Sequence, residues 1–159
     1  MKCKEFAQTA NLAGTWKAIM SNSSENAIDR INVSGEIRNT RSDSNTCSGQ
    51  KIADDKNDLW DQNIANLVGY DENSNSVGSI ALAMTGTRKT GIAATPSASY
   101  STLTCNNWTT SISNTTTDKN FFIAGDSRFD EDGRWTTTHF RRCSENNLSY
   151  RRIYCINGQ

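Results

Sequence analysis

The sequence lacks several features on which common catalytic and nucleic-acid-binding sites depend. It has one histidine (His139) and one proline (Pro96), and its formal net charge is zero. A single histidine gives little support to a structural zinc site. A net charge of zero removes any global field that would draw the chain to nucleic acid or to lipid. Electrostatic recognition must therefore come from local patches.

Several sequence motifs of enzymes are also missing. The glycine-bearing segment 86–91 lacks the Walker spacing, and no Gly-x-Ser-x-Gly elbow is present. The cysteines show no Cys-x-x-Cys spacing, which argues against thioredoxin-type chemistry. A Ser-His-Asp set would depend on His139, and a Cys–His pair would need Cys143 beside it. We therefore expect no enzyme, no cofactor and no metal, with a secreted hydrolase as a weaker alternative.

The sequence has no apolar run of the ~20 residues that a membrane-spanning helix needs. The opening residues 1–4 (MKCK) also lack the apolar core of an export signal. Five cysteines in 159 residues nevertheless favour an oxidising compartment. We expect a mature domain, secreted or exposed on an outer membrane, whose export signal lies outside this sequence. The alternative is a cytosolic protein with free thiols.

The chain is most simply one domain, 1–159, long enough for one core without metal. Apolar spacing predicts a short amphipathic helix over 2–11 and a second helix over 54–70, which Gly69 would end. Other patterns predict strands over 16–20, 79–84, 121–124 and 150–156, and loops over 21–26, 39–50, 71–76 and 86–99. This order of elements indicates an α+β domain.

Several landmarks follow one another along the sequence: the segment 12–18 (LAGTWKA) with Ser21, Trp60, Cys105 followed by Trp108-Thr109, Cys143 and the segment 154–157 (YCIN). Together they resemble the endostatin domain of basement-membrane collagens. Their order and spacing cover nearly the whole chain. The richness in Asn, Ser and Thr and the segment 122–126 (FIAGD) are more similar to the leptospiral endostatin-like surface proteins.

The resemblance implies a C-type-lectin-like fold, with a twisted, mostly antiparallel sheet, two helices and long loops. It also implies two nested disulfides, Cys3–Cys155 and Cys105–Cys143. Cys47 is left over, either free or in an intermolecular bridge. The N-terminal histidine cluster that holds zinc in animal endostatins has no counterpart here, and the calcium-dependent sugar motifs of C-type lectins are absent.

Arginines and aromatic residues are concentrated near the C-terminus. Arginine binds carboxylate or sulfate groups bidentately and stacks on aromatic rings, so a surface for acidic partners is one interpretation. The other is that the arginine stems shield a strand face while their charges stay in water. Strand alternation places Arg151 and Arg152 on opposite faces, so only part of the set can form one patch. The candidate residues are Arg128, Arg134, Trp135, Arg141, Arg142, Arg151 and Arg152.

Two further groups of residues admit a structural and a functional interpretation. Asp126, Asp130, Glu131 and Asp132 could bind calcium, but their spacing does not match an EF-hand, and a solvated turn paired with Arg128 or Arg134 is favoured. Tryptophans on strands and helix faces are usually core, which we expect for Trp16, Trp60 and Trp108. Trp135 is the one candidate for an exposed anchor.

By resemblance, the expected function is that of an exported bacterial adhesin. Its partners would be host extracellular-matrix proteins such as laminin and fibronectin, and plasma proteins including complement factor H and plasminogen. Sulfated glycosaminoglycan is a further candidate ligand. Such binding would serve host attachment and complement evasion. The alternative is a carbohydrate-binding, C-type-lectin-like module that works without calcium.

Overall fold

The computed structural model describes residues 2–40, 49–78, 81–109, 119–143 and 152–158. Its regular elements are short, and most of the described backbone lies in turns and irregular segments. The elements follow in the order α1 (Lys2–Thr9), β1 (Thr15–Ala18), α2 (Ala27–Arg30), β2 (Ile37–Arg38), β3 (Lys51–Ala53), α3 (Lys56–Leu59), β4 (Leu82–Met84), α4 (Cys105–Trp108), β5 (Phe121–Asp126), β6 (His139–Arg142) and β7 (Cys155–Gly158).

The two ends of the chain are joined to each other. Strand β1 pairs antiparallel with β7, with Thr15 opposite Gly158 and Ala18 opposite Cys155. Helix α1 precedes this pair and buries Cys3 and Ala7, one turn apart on the same face. The Cys3–Cys155 disulfide then links the helix to β7, with the two Cα atoms 5.5 Å apart. The predicted first helix and the predicted outer disulfide are both confirmed.

The second predicted helix, over 54–70, is wrong. Asp55 caps a single turn, α3, by accepting hydrogen bonds from the Asn57 and Asp58 amides, and the helix ends at Leu59. Beyond it the amides bond to distant segments, Ile64 to the Asp130 carbonyl and Ala65 to the Ile52 carbonyl. Tertiary partners therefore replace the i→i−4 bonds that the apolar spacing predicted, in a segment whose Asp and Asn residues are weak helix formers.

Strands β4, β5 and β6 form an antiparallel three-stranded sheet with β5 at its centre. Residues 122–127 are all buried, which confirms the strand predicted over 121–124. Gly125 allows the backbone of the segment after β5 to lie directly against the strand, because a Cβ there would overlap the Trp135 carbonyl. This approach fixes the connection between β5 and β6.

An aromatic group forms the centre of the main core. The Trp135 ring lies 5.3 Å from the Trp60 ring and 5.7 Å from the Tyr154 ring, centroid to centroid. Trp135 is only 1% exposed, so the prediction of an exposed anchor at this position is wrong. Its indole is too large and too apolar to remain in water when two other rings can enclose it. Trp60 is core as predicted, whereas Trp16 and Trp108 are half-buried.

Buried hydroxyl groups join the loops where regular structure is missing. Thr85 donates to the Thr136 carbonyl at 2.7 Å, and Thr137 donates to the Thr87 carbonyl at 2.7 Å. The Ser21 hydroxyl lies 2.9 Å from that of Thr87 and accepts from the Ala27 amide. Because buried polar groups need partners, these contacts fix three loops to one another. The heavy use of Ser and Thr thus serves the interior as well as the surface.

The inner disulfide, Cys105–Cys143, holds an unusual turn. All four residues of α4 have positive φ angles, from 48° at Cys105 to 65° at Trp108, so the turn is left-handed. No glycine is among them, although L-residues disfavour this region. The Trp108 indole donates to the Ser21 carbonyl at 2.9 Å, and the Asn107 amide group bonds to Ser23 through both of its atoms.

The remaining strand predictions are confirmed in part. The strands predicted over 16–20 and 79–84 correspond to β1 and β4, with residues 79–80 outside the described ones. Strand β7 begins only at Cys155, and positions 150 and 151 also lie outside the described residues. The fold is therefore mixed α+β, with antiparallel sheets, few helices and two disulfides. Within the described ranges, no helix has the length and apolarity to cross a membrane.

Candidate functional site

An exposed aromatic face with an arginine beside it lies on the β5–β6 pair. Phe140 lies opposite Ile123 and Arg142 opposite Phe121, so these side chains share one face of the sheet. The Phe140 ring is 46% exposed and stacks on the Tyr100 ring at 5.2 Å, with the planes 4° apart. We call the set Tyr100, Phe121, Phe140 and Arg142 the aromatic–arginine surface.

Arg142 is placed to present its charge from this surface. Its guanidinium carbon lies 5.7 Å from the centroid of the Phe121 ring, within cation–π range. The Tyr100 ring meets Phe121 edge-on at 4.8 Å, which fixes the aromatic base beneath it. Among the residues that the structure describes, no carboxylate forms an ion pair with Arg142. Arg142 itself is exposed.

Arg141 does not belong to the same surface. It lies opposite Phe122 on β5, on the other face of the sheet from Arg142, and is half-buried. Adjacent arginines on a strand point in opposite directions, as the alternation of side chains requires. Sequence proximity therefore overstated the patch, and only one arginine of this adjacent pair joins the aromatic face.

Arg128 and Arg134 lie beyond the other end of β5 and already have partners. Arg128 donates from Nε and Nη2 to the Asp126 carboxylate, at 2.9 and 2.5 Å. Burial raises the pKa of the Asp126 carboxyl, but the hydrogen bonds from Arg128 and its charge outweigh burial and leave the pKa below its usual value. Arg134 lies over the Phe129 ring, 3.3 Å from its centroid. Both guanidinium groups thus make contacts within the segment 126–134.

The other candidates are placed elsewhere. Arg152 donates to the Val77 carbonyl at 2.8 Å and bridges to Ala83 of β4. Arg151 lies outside the described residues, as does Cys47. Trp135 is in the core and takes no part in the surface. The seven predicted residues are therefore divided among separate places, and of the six that the structure describes only Arg142 lies on the aromatic face.

The acidic turn is paired with basic side chains. Asp126 is bound by Arg128, as the sequence analysis favoured, but it is fully buried and not solvated; Asp132 bonds to Lys89 at 2.5 Å. Among the described residues, no group of three or more His, Cys, Asp or Glu side chains is arranged to hold a metal ion. The geometry of this turn is explained by its ion pairs.

His139 and Cys143 do not form a catalytic pair in this structure. Cys143 is bonded to Cys105, so it offers no thiolate. Burial lowers the pKa of His139, and the nearby charge of Arg141 lowers it further, against the opposing effect of Asp126. His139 lies on the face of β6 opposite Phe140, where burial and the charge of Arg141 favour its neutral form.

Tyr100 is the member of the aromatic–arginine surface that sequence reasoning missed. It lies one residue beyond the end of the predicted loop 86–99, and no periodic pattern surrounds it. Its position is set by contacts across the sequence, to Phe121 and Phe140. The only local signal was the alternation of Phe140 and Arg142 along one strand.

No family model, no curated protein and no solved structure matches this chain.

Proposed function

We propose that this chain is an exported, non-catalytic binding domain that acts as a bacterial surface adhesin. The finer architecture we propose for it is C-type-lectin-like and endostatin-like. The single observation that carries the proposal is the exposed Phe140 beside the exposed Arg142, on a strand followed directly by a disulfide cysteine. Aromatic residues and arginine are the types that dominate binding energy at protein interfaces.

The arrangement favours a partner with an acidic, partly apolar surface. The disulfide at Cys143 and the stack on Tyr100 restrict the strand that carries both contact residues. Restricting side chains before binding reduces the entropy lost when the complex forms. Arg142 would then pair with a carboxylate or sulfate group while Phe140 covers apolar surface.

The resemblance to leptospiral endostatin-like surface proteins supports a particular class of partner. These are laminin and fibronectin in the host matrix, and complement factor H and plasminogen in plasma. Two disulfides match an oxidising compartment, and we propose a secreted or outer-membrane location on this ground. Binding would attach the bacterium to tissue and recruit a complement regulator to its surface.

The test is binding to immobilised laminin and factor H at low and high salt. Arg142→Gln should weaken binding about tenfold, the effect of losing one contact of about 1.4 kcal/mol. The matched control is Arg88→Gln, which removes the same charge from an exposed position outside the surface. Binding of the unchanged protein should weaken with salt, because exposed charges are screened. Equal binding by both variants and the parent would refute the proposed surface.

The exposed stack of Phe140 on Tyr100 also favours a second candidate, a carbohydrate-binding module without calcium. Sugar rings can stack on such a face without needing Arg142. Under this alternative, Phe140→Ala abolishes binding while Arg142→Gln has little effect. Binding would also be insensitive to salt and would be competed by simple sugars.

A further inference from the structure

A large cavity lies on the side of the molecule where the chain ends meet. Its volume is about 820 Å³, and it is bordered by α1, by β1 and β7, and by segments within 33–40 and 68–77. Protein cores leave few voids larger than a water molecule. Small-molecule sites, in contrast, typically measure about 300–1,000 Å³. None of the residues of the aromatic–arginine surface lines this cavity.

The main core forms part of the wall of the cavity. Ile19, Leu59, Trp135, Tyr154 and Ile156 all line it, and each belongs to the central buried cluster. A space bounded by such residues gains little from water and much from an apolar occupant. The wall therefore favours a ligand whose length is mainly hydrocarbon.

The charged residues that line the cavity leave no net charge for an ionic ligand. Three are basic and three acidic: Lys2, Arg38, Arg152, Glu36, Asp71 and Glu72. The basic three are already engaged, since Lys2 pairs with Glu5, Arg38 pairs with Glu36, and Arg152 donates to the Val77 carbonyl. An anionic head group at Lys2 or Arg38 would compete with Glu5 or Glu36 for that cation.

Among the residues that the structure describes, three that line the cavity carry buried polar atoms without a hydrogen-bond partner. They are Ser127 Oγ, Trp135 Nε1 and Tyr154 Oη, on residues that are 2%, 1% and 8% exposed. Buried polar atoms are nearly always paired, and all three groups can donate. The partner that would complete them is an acceptor oxygen.

We propose that this cavity binds one uncharged, elongated apolar molecule, an alkyl chain bearing a hydroxyl, carbonyl or ether oxygen. The chain lies along the wall that includes Ile19 and Trp135, and the oxygen accepts from the donors around Tyr154. Electrostatics in this region agree with an uncharged ligand. Burial raises the pKa of Tyr154, and the charge of Asp126 raises it further, so added negative charge is disfavoured there.

The first test uses the unmodified, oxidised protein and a series of straight-chain alcohols from hexanol to dodecanol. Binding is followed by tryptophan fluorescence, with Trp135 in the wall, and the stoichiometry is measured by native mass spectrometry. We expect one alcohol per chain, and affinity rising about fourfold per added methylene until the cavity is full. Decanoate at pH 8 and decyltrimethylammonium should bind at least tenfold more weakly than decanol. Absence of saturable binding, which means a cavity filled by solvent only, would overturn the proposal.

The second test places the ligand in this cavity. Val33→Trp fills space at a half-buried lining position and should abolish decanol binding, whereas Ile92→Trp, at a 50% exposed position outside the lining, should leave binding unchanged. Tyr154→Phe should weaken decanol binding but leave the gain in affinity per added methylene unchanged. Unchanged decanol binding in Val33→Trp, or tighter binding of decanoate than of decanol, contradicts the proposal. If Val33→Trp does not fold, the alcohol series on the unmodified protein still decides the outcome.

Discussion

The two disulfides join backbones of different kinds. Cys3–Cys155 links a regular helix to a regular strand across 152 positions. Cys105–Cys143 closes 38 positions and holds the left-handed turn α4. The same covalent bond therefore does two different things. The outer link mainly restricts the unfolded chain, while the inner link also keeps an unfavourable native conformation in place.

The inner region needs additional support because its backbone is costly. A left-handed conformation costs an L-residue about 1–2 kcal/mol. Thr104 caps the turn by accepting a hydrogen bond from the Asn107 backbone amide. The Ser21 carbonyl accepts from the Trp108 indole, and the Ser23 hydroxyl accepts from the Asn107 side chain. A strained turn held by many partners can present a fixed shape, and β6 with its aromatic–arginine surface begins four residues before Cys143.

Removal of the outer disulfide is expected to have the largest effect. Cys3→Ser together with Cys155→Ser should lower the free energy of unfolding by about 5 kcal/mol, because a loop of nearly the whole chain is released. Urea denaturation of the parent and the double variant measures this difference. If removing the outer disulfide lowered the free energy of unfolding less than removing the inner one, the proposed order of the two disulfides would be reversed.

Removal of the inner disulfide should cost less. The chain-entropy model gives about 4 kcal/mol for Cys105→Ser with Cys143→Ser, and relief of the left-handed turn reduces this further. The same urea measurement applies. Amide exchange in 105–109 should rise in this variant while β1 and β7 stay protected. Loss of protection throughout the chain would show that the two regions are not separable.

A pair of glycine substitutions tests the backbone directly. Asn106→Gly should raise stability by up to about 1 kcal/mol, because glycine adopts positive φ freely. Gln8→Gly, at an exposed position of α1, should lower it by about 0.5–1 kcal/mol, since glycine is unfavourable in a regular helix. Stability changes of opposite sign for the two variants, measured by thermal or urea unfolding, support the contrast between the left-handed turn and the regular helix. A loss at both positions contradicts the left-handed assignment.

The mildest test uses pH, which acts on the inner region through His139. Burial and the charge of Arg141 lower its folded pKa below the unfolded value of about 6.5. The folded state then binds fewer protons than the unfolded state, so this contribution is complete above pH 6.5 and is lost as pH falls toward the folded pKa. His139→Gln should remove the loss between pH 7.5 and 5 in urea titrations. An equal loss of stability in parent and variant would show that other titrating groups cause it.

The parts of the fold that follow local rules were predictable. The first helix was predicted from the spacing of Phe6, Ala7 and Ala10, although the structure leaves Phe6 exposed, and the strand over 121–124 was predicted from its apolar run. The helix predicted over 54–70 does not form, because amides in this segment bond to Ile52 and Asp130, which no local pattern reveals. The left-handed turn was not predicted either, because it contains no glycine that would have signalled positive φ angles.

The candidate site lies on a strand, β6, that was not predicted, since alternation was applied only to Arg151 and Arg152. In the structure the same alternation separates Arg141 from Arg142, and nothing local places Tyr100 beneath Phe140. Trp135 was misjudged because its neighbours Arg134 and Thr136 are polar, while the rings that bury it, Trp60 and Tyr154, are distant in sequence. Long-range packing decided both cases.

The antiparallel pairing of β1 with β7, closed by Cys3–Cys155, has a mechanical consequence. A pulling force that enters at residue 3 and leaves at residue 155 passes through a sulfur–sulfur bond and does not stretch the segments between them. The three-stranded sheet of β4, β5 and β6 would carry no part of a force applied in this way.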